Sequence, residues 1–290
     1  MKHLALCRAS GYVVLAAVLV LMGSWGTSTG AEKVSLNAGG ASFPAPLYIK
    51  WFKDYHRAHP DVQINYNAFG SGAGISNFIA KRLDFAGSDV PMTAEQTARV
   101  DAGVVQVPMT AGAVVFVYNL EGIRGLRLSR EAYTGIFQGT VNNWRHPLIQ
   151  KHNPGIALPD KEIIVVVRVD SSGTTHVLTR HLSTISPAFK NEVGVSKKPV
   201  WPKKIKTEGR LEKIAGNGGV AQIVKVLPGS IGYTEYSYAY FSDIAMAALQ
   251  NKVGTFVLPT THAFLETIAA AKSPLKASVS PIPVDPPEEA

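Results

Sequence analysis

The 290-residue chain is 46% hydrophobic and 17% charged, enough apolar material for a sizeable core and too ordered a composition for a disordered tail. Its length suits two medium domains or one large one. A net charge of +8 at pH 7 favours an anionic partner in general, and charge alone does not choose between nucleic acid, acidic lipid and a small anion.

The first 31 residues stand apart. Lys2 and Arg8 precede an unbroken apolar run from Tyr12 to Met22, and small residues lead on to Thr29, Gly30 and Ala31. This is the pattern of a cleaved secretory signal peptide over residues 1–31. The run falls short of the roughly 20 residues a membrane-spanning helix needs, so the mature chain is expected to be soluble and exported. Cys7, the single cysteine, lies ahead of the run, which leaves the mature protein without thiol or disulfide. Loss of Lys2 and Arg8 leaves a charge of +6, part of it in SKKPVWPKKIKTEGRLEK, Ser196 to Lys213. Prolines interrupt that run and no nucleic-acid motif surrounds it, so a solvated, irregular surface segment and no nucleic-acid partner are expected.

Beyond the leader, strand-like and helix-like periods alternate. Val34–Asn37 reads as a strand, and Pro44–His59 as a helix with Leu47, Trp51 and Tyr55 on one face. Val62–Phe69 alternates as a strand, Gly74–Leu83 is helical, and Thr93 with Gln96 forms a capping box opening a short helix. Further strands are predicted at Val114–Tyr118, Ile163–Val167 and Ser230–Tyr233, and helices at Ser129–Phe137, Thr174–Ile185 and Gly219–Leu227. Such alternation predicts α/β layers, a largely parallel sheet with helices on both faces.

In these folds ligands sit beyond the carboxyl ends of strands, where strand meets helix. Three of those junctions are rich in small residues: NAGGASFPAP (Asn37–Pro46), FGSGAGIS (Phe69–Ser76) and VRVDSSGTT (Val167–Thr175). Each combines unpaired amides at a helix start with Ser or Thr hydroxyls, a set that attracts anions. Any one of them alone would be ordinary helix capping. Arg168 adds a fixed cation at the end of an apolar strand, a costly place unless it meets a carboxylate or an anion, and Asp170 is positioned to orient it. Asp89, in DFAGSDVPMT, ends a short apolar segment and by itself would be a turn residue.

Taken together, NAGGASFPAPLYIKW, FGSGAGISNFIAKRLDFAGSDVPMT, LSREAYTGIFQGTVNNW, VVRVDSSGTT and LPGSIGYTEYSYA resemble, in order, the motifs of the periplasmic phosphate-binding proteins of Pst-type ABC transporters. The resemblance runs from about Ser35 to Tyr240. It implies a two-lobed periplasmic binding protein (type 2), each lobe a mostly parallel sheet flanked by helices, with the ligand in the interlobe cleft. It also implies a monomer without cofactor, catalytic residue or metal, which binds inorganic phosphate in the periplasm and delivers it to a membrane permease and its ATPase.

Carried over by position, the resemblance assigns phosphate contacts to the hydroxyl of Ser42, in place of a more usual threonine, and to the amide of Phe43. Ser71 supplies a hydroxyl and Asp89 the acidic acceptor. Arg168 is the cation, Ser172 and Thr174 supply hydroxyls, Gly173 an amide, and Asp170 holds the arginine. Two positions depart from the pattern: GSGAG where a second serine is common, and Ser171 where glycine is frequent. Asp89 would accept the proton that phosphate carries and sulfate lacks.

The implied boundaries are a first lobe over residues 32–108, a second over 109–258, and the start of a return to the first lobe over 259–290. The family pattern continues with another strand and helices after PIPVDPPEEA, where this chain ends, so an incomplete first lobe is expected. Two other function classes stay open at this point: an exported phosphate-ester hydrolase, and an adhesion or signalling module of the same fold. The hydrolase reading finds little support, since HRAH (His56–His59) has no carboxylate partner at metal spacing, GTSTG lies in the leader, and His176 near Ser172 has no orienting third group.

Overall fold

The computed structural model describes residues 33–206 and 209–270. Residues 1–32, 207–208 and 271–290 lie outside the described residues, as do the expectations of a signal peptide over residues 1–31 and of the tail after residue 270. Among the described residues no helix is long and apolar enough to cross a membrane.

The first lobe is built on three parallel strands. β1 (Val34–Gly40) lies between β2 (Val62–Ala68) and β3 (Phe85–Gly87), with Val34 opposite Val62 and Ala38 opposite Phe85. Helix α1 (Ala45–Ala58) carries the chain from β1 to β2, and α2 (Ser71–Ile79) from β2 to β3. β1 runs three residues past the predicted end at Asn37, because Ala38, Gly39 and Gly40 continue the ladder with Tyr66, Asn67 and Ala68. The face α1 turns to the sheet also differs from the simplest periodic choice. Tyr48 packs edge-on against Tyr66 with ring centroids 5.3 Å apart, and Phe52 against Phe85 at 5.9 Å. Leu47, Trp51 and Tyr55 share the opposite side and remain exposed. The capping box after β3 forms as predicted: Thr93 Oγ1 accepts from the Gln96 amide, and Gln96 Oε1 accepts from the Thr93 amide.

The second lobe is larger. β4 (Val114–Tyr118) opens it, followed by β5 (Arg127–Leu128), α3 (Arg130–Gln138), β6 (Ile164–Arg168) and α4 (Gly173–Ile185). Next come β7 (Leu211–Ile214), α5 (Gly216–Val226), β8 (Ser230–Glu235), α6 (Tyr236–Phe241) and β9 (Ala245–Met246). The sheet order is β7-β6-β8-β4-β9; β6 is parallel to β7 and β8, while β4 runs antiparallel to β8 and β9. The mixture arises because β4 and β8 sit side by side although more than a hundred residues separate them. A small third sheet joins β5 to β10 (Ala248–Gln250) and β11 (Phe256–Val257), and α7 (Thr261–Ala270) follows.

The period of two sorts the core into layers. Phe116, Tyr118, Val165, Val167, Ile231 and Tyr233 face one side of the sheet, packed with Phe137, Trp144, Leu182 and Phe189. Val115, Val117 and Val166 face the other, against Val220, Val224 and Ala239. Ile163–Val167 reads as an unbroken apolar run because β6 is covered on both faces.

The lysine-rich segment after Ser196 is not a purely solvated loop. Trp201 and Ile205 are buried in the core, Trp201 lying 5.9 Å from the Phe137 ring, and Leu211–Ile214 forms β7. Burying one large indole outweighs the exposure of the flanking lysines, so the charges stay outside while the segment is pinned.

Candidate functional site

Four strand ends meet in the cleft. Ser42 and Phe43 follow β1, Ser71 opens α2 after β2, Asp89 follows β3, and Arg168 ends β6 ahead of Ser172, Gly173 and Thr174 at the start of α4. Every residue assigned to the anion by the sequence reading therefore lies at the carboxyl end of a strand or at the helix start beyond it.

Arg168 is almost wholly buried, its side chain 1% exposed. Its Nε donates to Asp170 Oδ1 at 2.7 Å and its Nη2 to Asp170 Oδ2, a forked pair that fixes the guanidinium plane. Asp170 Oδ1 also accepts the Gly216 amide at 3.2 Å, so the carboxylate is held from the start of α5 as well. The Arg168 backbone amide donates to the Tyr233 hydroxyl at 3.2 Å, and burial pushes that phenol up to about 12. Arg168 Nη1 is buried without a partner.

Asp89 presents the complementary case. The Ser71 hydroxyl accepts its backbone amide at 3.3 Å, and Thr174 Oγ1 donates to Oδ2 at 3.3 Å. Oδ1 is buried without a partner. Burial pushes the carboxyl up to about 6, against the opposing pull of Arg168, the Thr174 hydroxyl, Lys197 and Ser71. One buried guanidinium nitrogen and one buried carboxylate oxygen, each without a hydrogen-bond partner in the same cleft, are a costly arrangement for a ligand-free core.

The rest of the lining consists of hydroxyls and helix starts. Ser172 Oγ caps α4 by accepting the Thr175 amide at 3.1 Å, which leaves the hydroxyl proton to donate. The amides of Gly173 and Thr174 belong to the first turn of α4 and have no intrahelical acceptor. Gly173 lies where no side chain fits, since a Cβ there would stand 2.6 Å from Asp89 Oδ2 and Ser71 Oγ. His176 meets Ser172 through its backbone, its amide donating to the Ser172 carbonyl at 3.1 Å, and the imidazole is shifted down by burial and by nearby Lys197 and Arg180. His56 is occupied by the Val62 carbonyl at 2.6 Å, and among the described residues no cluster of His, Cys, Asp and Glu could hold a metal.

The raised Asp89 carboxyl has a consequence for stability. The folded chain holds that proton more tightly than the unfolded one, so the group's contribution is complete below its ordinary value of 3.8 and is lost as pH rises through about 6. Asp89→Asn is therefore expected to stabilise the ligand-free protein near neutrality by roughly 1–3 kcal/mol and to flatten the loss of stability between about pH 4 and pH 6. Thermal melting across that range checks it. A variant that melts lower than the parent at neutral pH contradicts it.

The two departures from the family pattern meet each other across the cleft. The Gly72 amide donates to the Ser171 carbonyl at 2.9 Å, and a Cβ at Gly72 would run into the Ser171 side chain. Glycine in GSGAG thus makes room for the serine that stands where glycine is frequent. Gly72→Ser is expected to weaken anion binding by about tenfold through overpacking of the closed cleft, and Ser171→Gly added to it is expected to restore binding. Paired titrations of the single and double variants decide this.

Three residues at the site were not singled out from sequence. Asn217, at the start of α5, is fully buried and bonded to Ser42, Thr174 and Glu235. The Tyr238 hydroxyl donates to the Ser42 carbonyl at 2.6 Å. Lys197, half-buried, has its ammonium pushed down by burial while Asp89 draws it back up. Asn217 had a legible signal, because IAGNGG is a fourth glycine-rich passage from strand to helix.

Residues 26–288 match the model of the PBP superfamily domain. The phosphate-binding protein PstS of Pasteurella multocida is 41% identical over 255 residues, spanning 87% of this chain and 71% of that protein. The phosphate-binding protein PstS of Haemophilus influenzae is 39% identical over 259 residues, spanning 89% and 75%. A solved phosphate-binding protein from Stenotrophomonas maltophilia shares the fold with a TM-score of 0.58 at 24% identity, covering 75% of this chain and 65% of the solved one. With a two-lobed α/β fold and an anion-seeking cleft already in place, similarity of this extent means that the chain belongs to the PBP superfamily and, within it, to the Pst-type phosphate-binding proteins.

Proposed function

We propose that the chain binds inorganic phosphate between its lobes and presents it to the permease and ATPase of an ABC importer. The observation that carries this reading is the pair of buried, unpartnered atoms, Arg168 Nη1 and Asp89 Oδ1. Near neutrality phosphate is an anion that still carries a proton, so one oxygen accepts from the guanidinium while its hydroxyl donates to the carboxylate. Ser42, Ser71 and Ser172 supply hydroxyls, Phe43 and Gly173 supply amides, and the Thr174 hydroxyl turns its proton from Asp89 Oδ2 to the ligand, for the remaining oxygens. Asp170 keeps the guanidinium in plane and touches no ligand.

Release to a membrane partner requires the lobes to separate, and the bonds across the cleft are few enough to break together: Gly72 to Ser171, Thr174 to Asp89, and Asn217 and Tyr238 to Ser42. The lobes take residues 32–108 and 109–258; the expected return toward the first lobe does not begin at residue 259, because Phe264 of α7 still packs against Tyr236 of the second lobe with ring centroids 5.0 Å apart. The protein acts as a periplasmic monomer, exported by the leader over residues 1–31, and it carries its ligand unchanged, without hydrolysis. The relatives are phosphate-binding proteins, which supports a carrier. Uptake of radiolabelled phosphate tests the transport role: cells lacking their own phosphate-binding protein but retaining a Pst permease should regain uptake when this chain is exported to the periplasm. Tight phosphate binding without any restored uptake would separate binding from delivery.

A further inference from the structure

Asn217 belongs to the second lobe, yet most of its hydrogen-bonding capacity converges on residues of the phosphate site. Its Oδ1 accepts the Glu235 backbone amide at 3.0 Å, and a backbone amide can only donate, so the orientation of the side-chain amide is determined. Nδ2 then points the other way. It donates to Ser42 Oγ at 2.9 Å and to Thr174 Oγ1 at 3.2 Å. The backbone amide of Asn217 donates to the same Ser42 Oγ at 3.0 Å.

A serine hydroxyl has two lone pairs and one proton. Both Ser42 lone pairs are taken by Asn217, so the hydroxyl has only its proton left to offer. The Tyr238 hydroxyl, also from the second lobe, holds the Ser42 carbonyl at 2.6 Å, so the residue is gripped at both its side chain and its backbone. From this geometry we infer that Asn217 is a positioning residue: on closure it crosses to the first lobe and converts Ser42 into an obligate donor to the anion.

The inference rests on the phosphate site described above and deepens it. It fixes the direction of one first-lobe hydroxyl only when the second lobe has arrived, which couples ligand affinity to closure. It also divides the labour of recognition. Ser42 is preset as a donor and accepts nothing from the ligand, so the duty of accepting the phosphate proton stays with Asp89.

A double-mutant cycle read by calorimetric titration with phosphate tests the role. Asn217→Ala and Ser42→Ala should each weaken binding about 10- to 100-fold, and the double variant should lose clearly less than the product of the two effects, because Asn217 acts mainly by orienting the Ser42 hydroxyl, with its second bond, to Thr174, accounting for the remainder. Ser172→Ala provides the control. Its hydroxyl has no bond to Asn217, so its effect should multiply with that of Asn217→Ala. A residue that merely held the fold would lower both cycles alike. Should the alanine variant fail to fold, Asn217→Ser keeps a polar helix start but is too short to reach Ser42, and it gives the same cycle. Parent-like affinity in the Asn217 variant, or effects of Asn217 and Ser42 that multiply, overturns the inference while leaving the phosphate site intact. A parent protein that takes no phosphate removes the site and the inference with it.

Discussion

Arg168→Ala is expected to lower phosphate affinity by about 10³-fold and to destabilise the ligand-free protein as well. Two losses combine. The anion forfeits charge-assisted bonds worth roughly 1.5–3 kcal/mol each, and Asp170 is left in the cleft without the cation that its two oxygens grip. Arg168→Lys keeps the charge but not the planar fork, since a single ammonium cannot serve both Asp170 oxygens and the ligand. It should fall between the alanine variant and the parent, with about a tenfold loss of affinity. Calorimetric titration measures both, and near-parent affinity in the alanine variant would remove Arg168 from the site.

Asp89→Asn should change selectivity more than affinity. In the parent, sulfate offers no proton to Asp89 Oδ1, so binding it would leave a buried acceptor unpartnered beside a second negative charge. Sites built around such a bond reject the analogue lacking it by about 10⁴-fold or more. The asparagine removes the charge and can turn an amide donor toward sulfate, so the phosphate-to-sulfate preference should fall by at least about 10²-fold. The parent should show the same relaxation on acidification. As pH falls through about 6, Asp89 gains a proton and becomes a donor, so sulfate should bind progressively better. A preference for phosphate that is unchanged by the substitution would take Asp89 out of its selective role.

Much of this was legible in the sequence, for reasons that differ from element to element. The alternation of Val62–Phe69 and the apolar run Ile163–Val167 encode strands whose faces are half or wholly covered, and the strands observed, Val62–Ala68 and Ile164–Arg168, lie within one residue of them. The glycine-rich passages after β1, β2 and β6 were visible because anion sites need small residues at helix starts. The burial of Trp201 was less accessible, because charge density around it favours a surface loop and only the tertiary pocket beside Phe137 overrides that preference. The inward face of α1 was ambiguous for a related reason: Leu47, Trp51 and Tyr55 are as apolar as Tyr48 and Phe52, and only the sheet's position selects between them. Asn217 has a turn-forming composition that suits an ordinary helix start equally well. Its role depends on Ser42, 175 residues earlier in the chain, coming within hydrogen-bonding distance.

The pairing of Gly72 with Ser171 shows a further limit of motif matching. Taken alone, Gly72 lacks a side chain common in the family pattern and Ser171 adds one. Together they conserve the volume available to the closed cleft, since the side chain absent from one loop is present in the other. Sequence position separates them by almost a hundred residues, so the compensation is visible only in three dimensions.

We propose that one buried cation, Arg168, and one buried carboxylate acceptor, Asp89, select a protonated tetrahedral anion. Competitive calorimetric titration of the protein near neutral pH tests this most directly, with sulfate in large excess before phosphate is added. Phosphate is expected to bind with nearly the same affinity whether or not sulfate is present. Equal competition by sulfate, or no heat on adding phosphate to the sulfate-free protein, would contradict it.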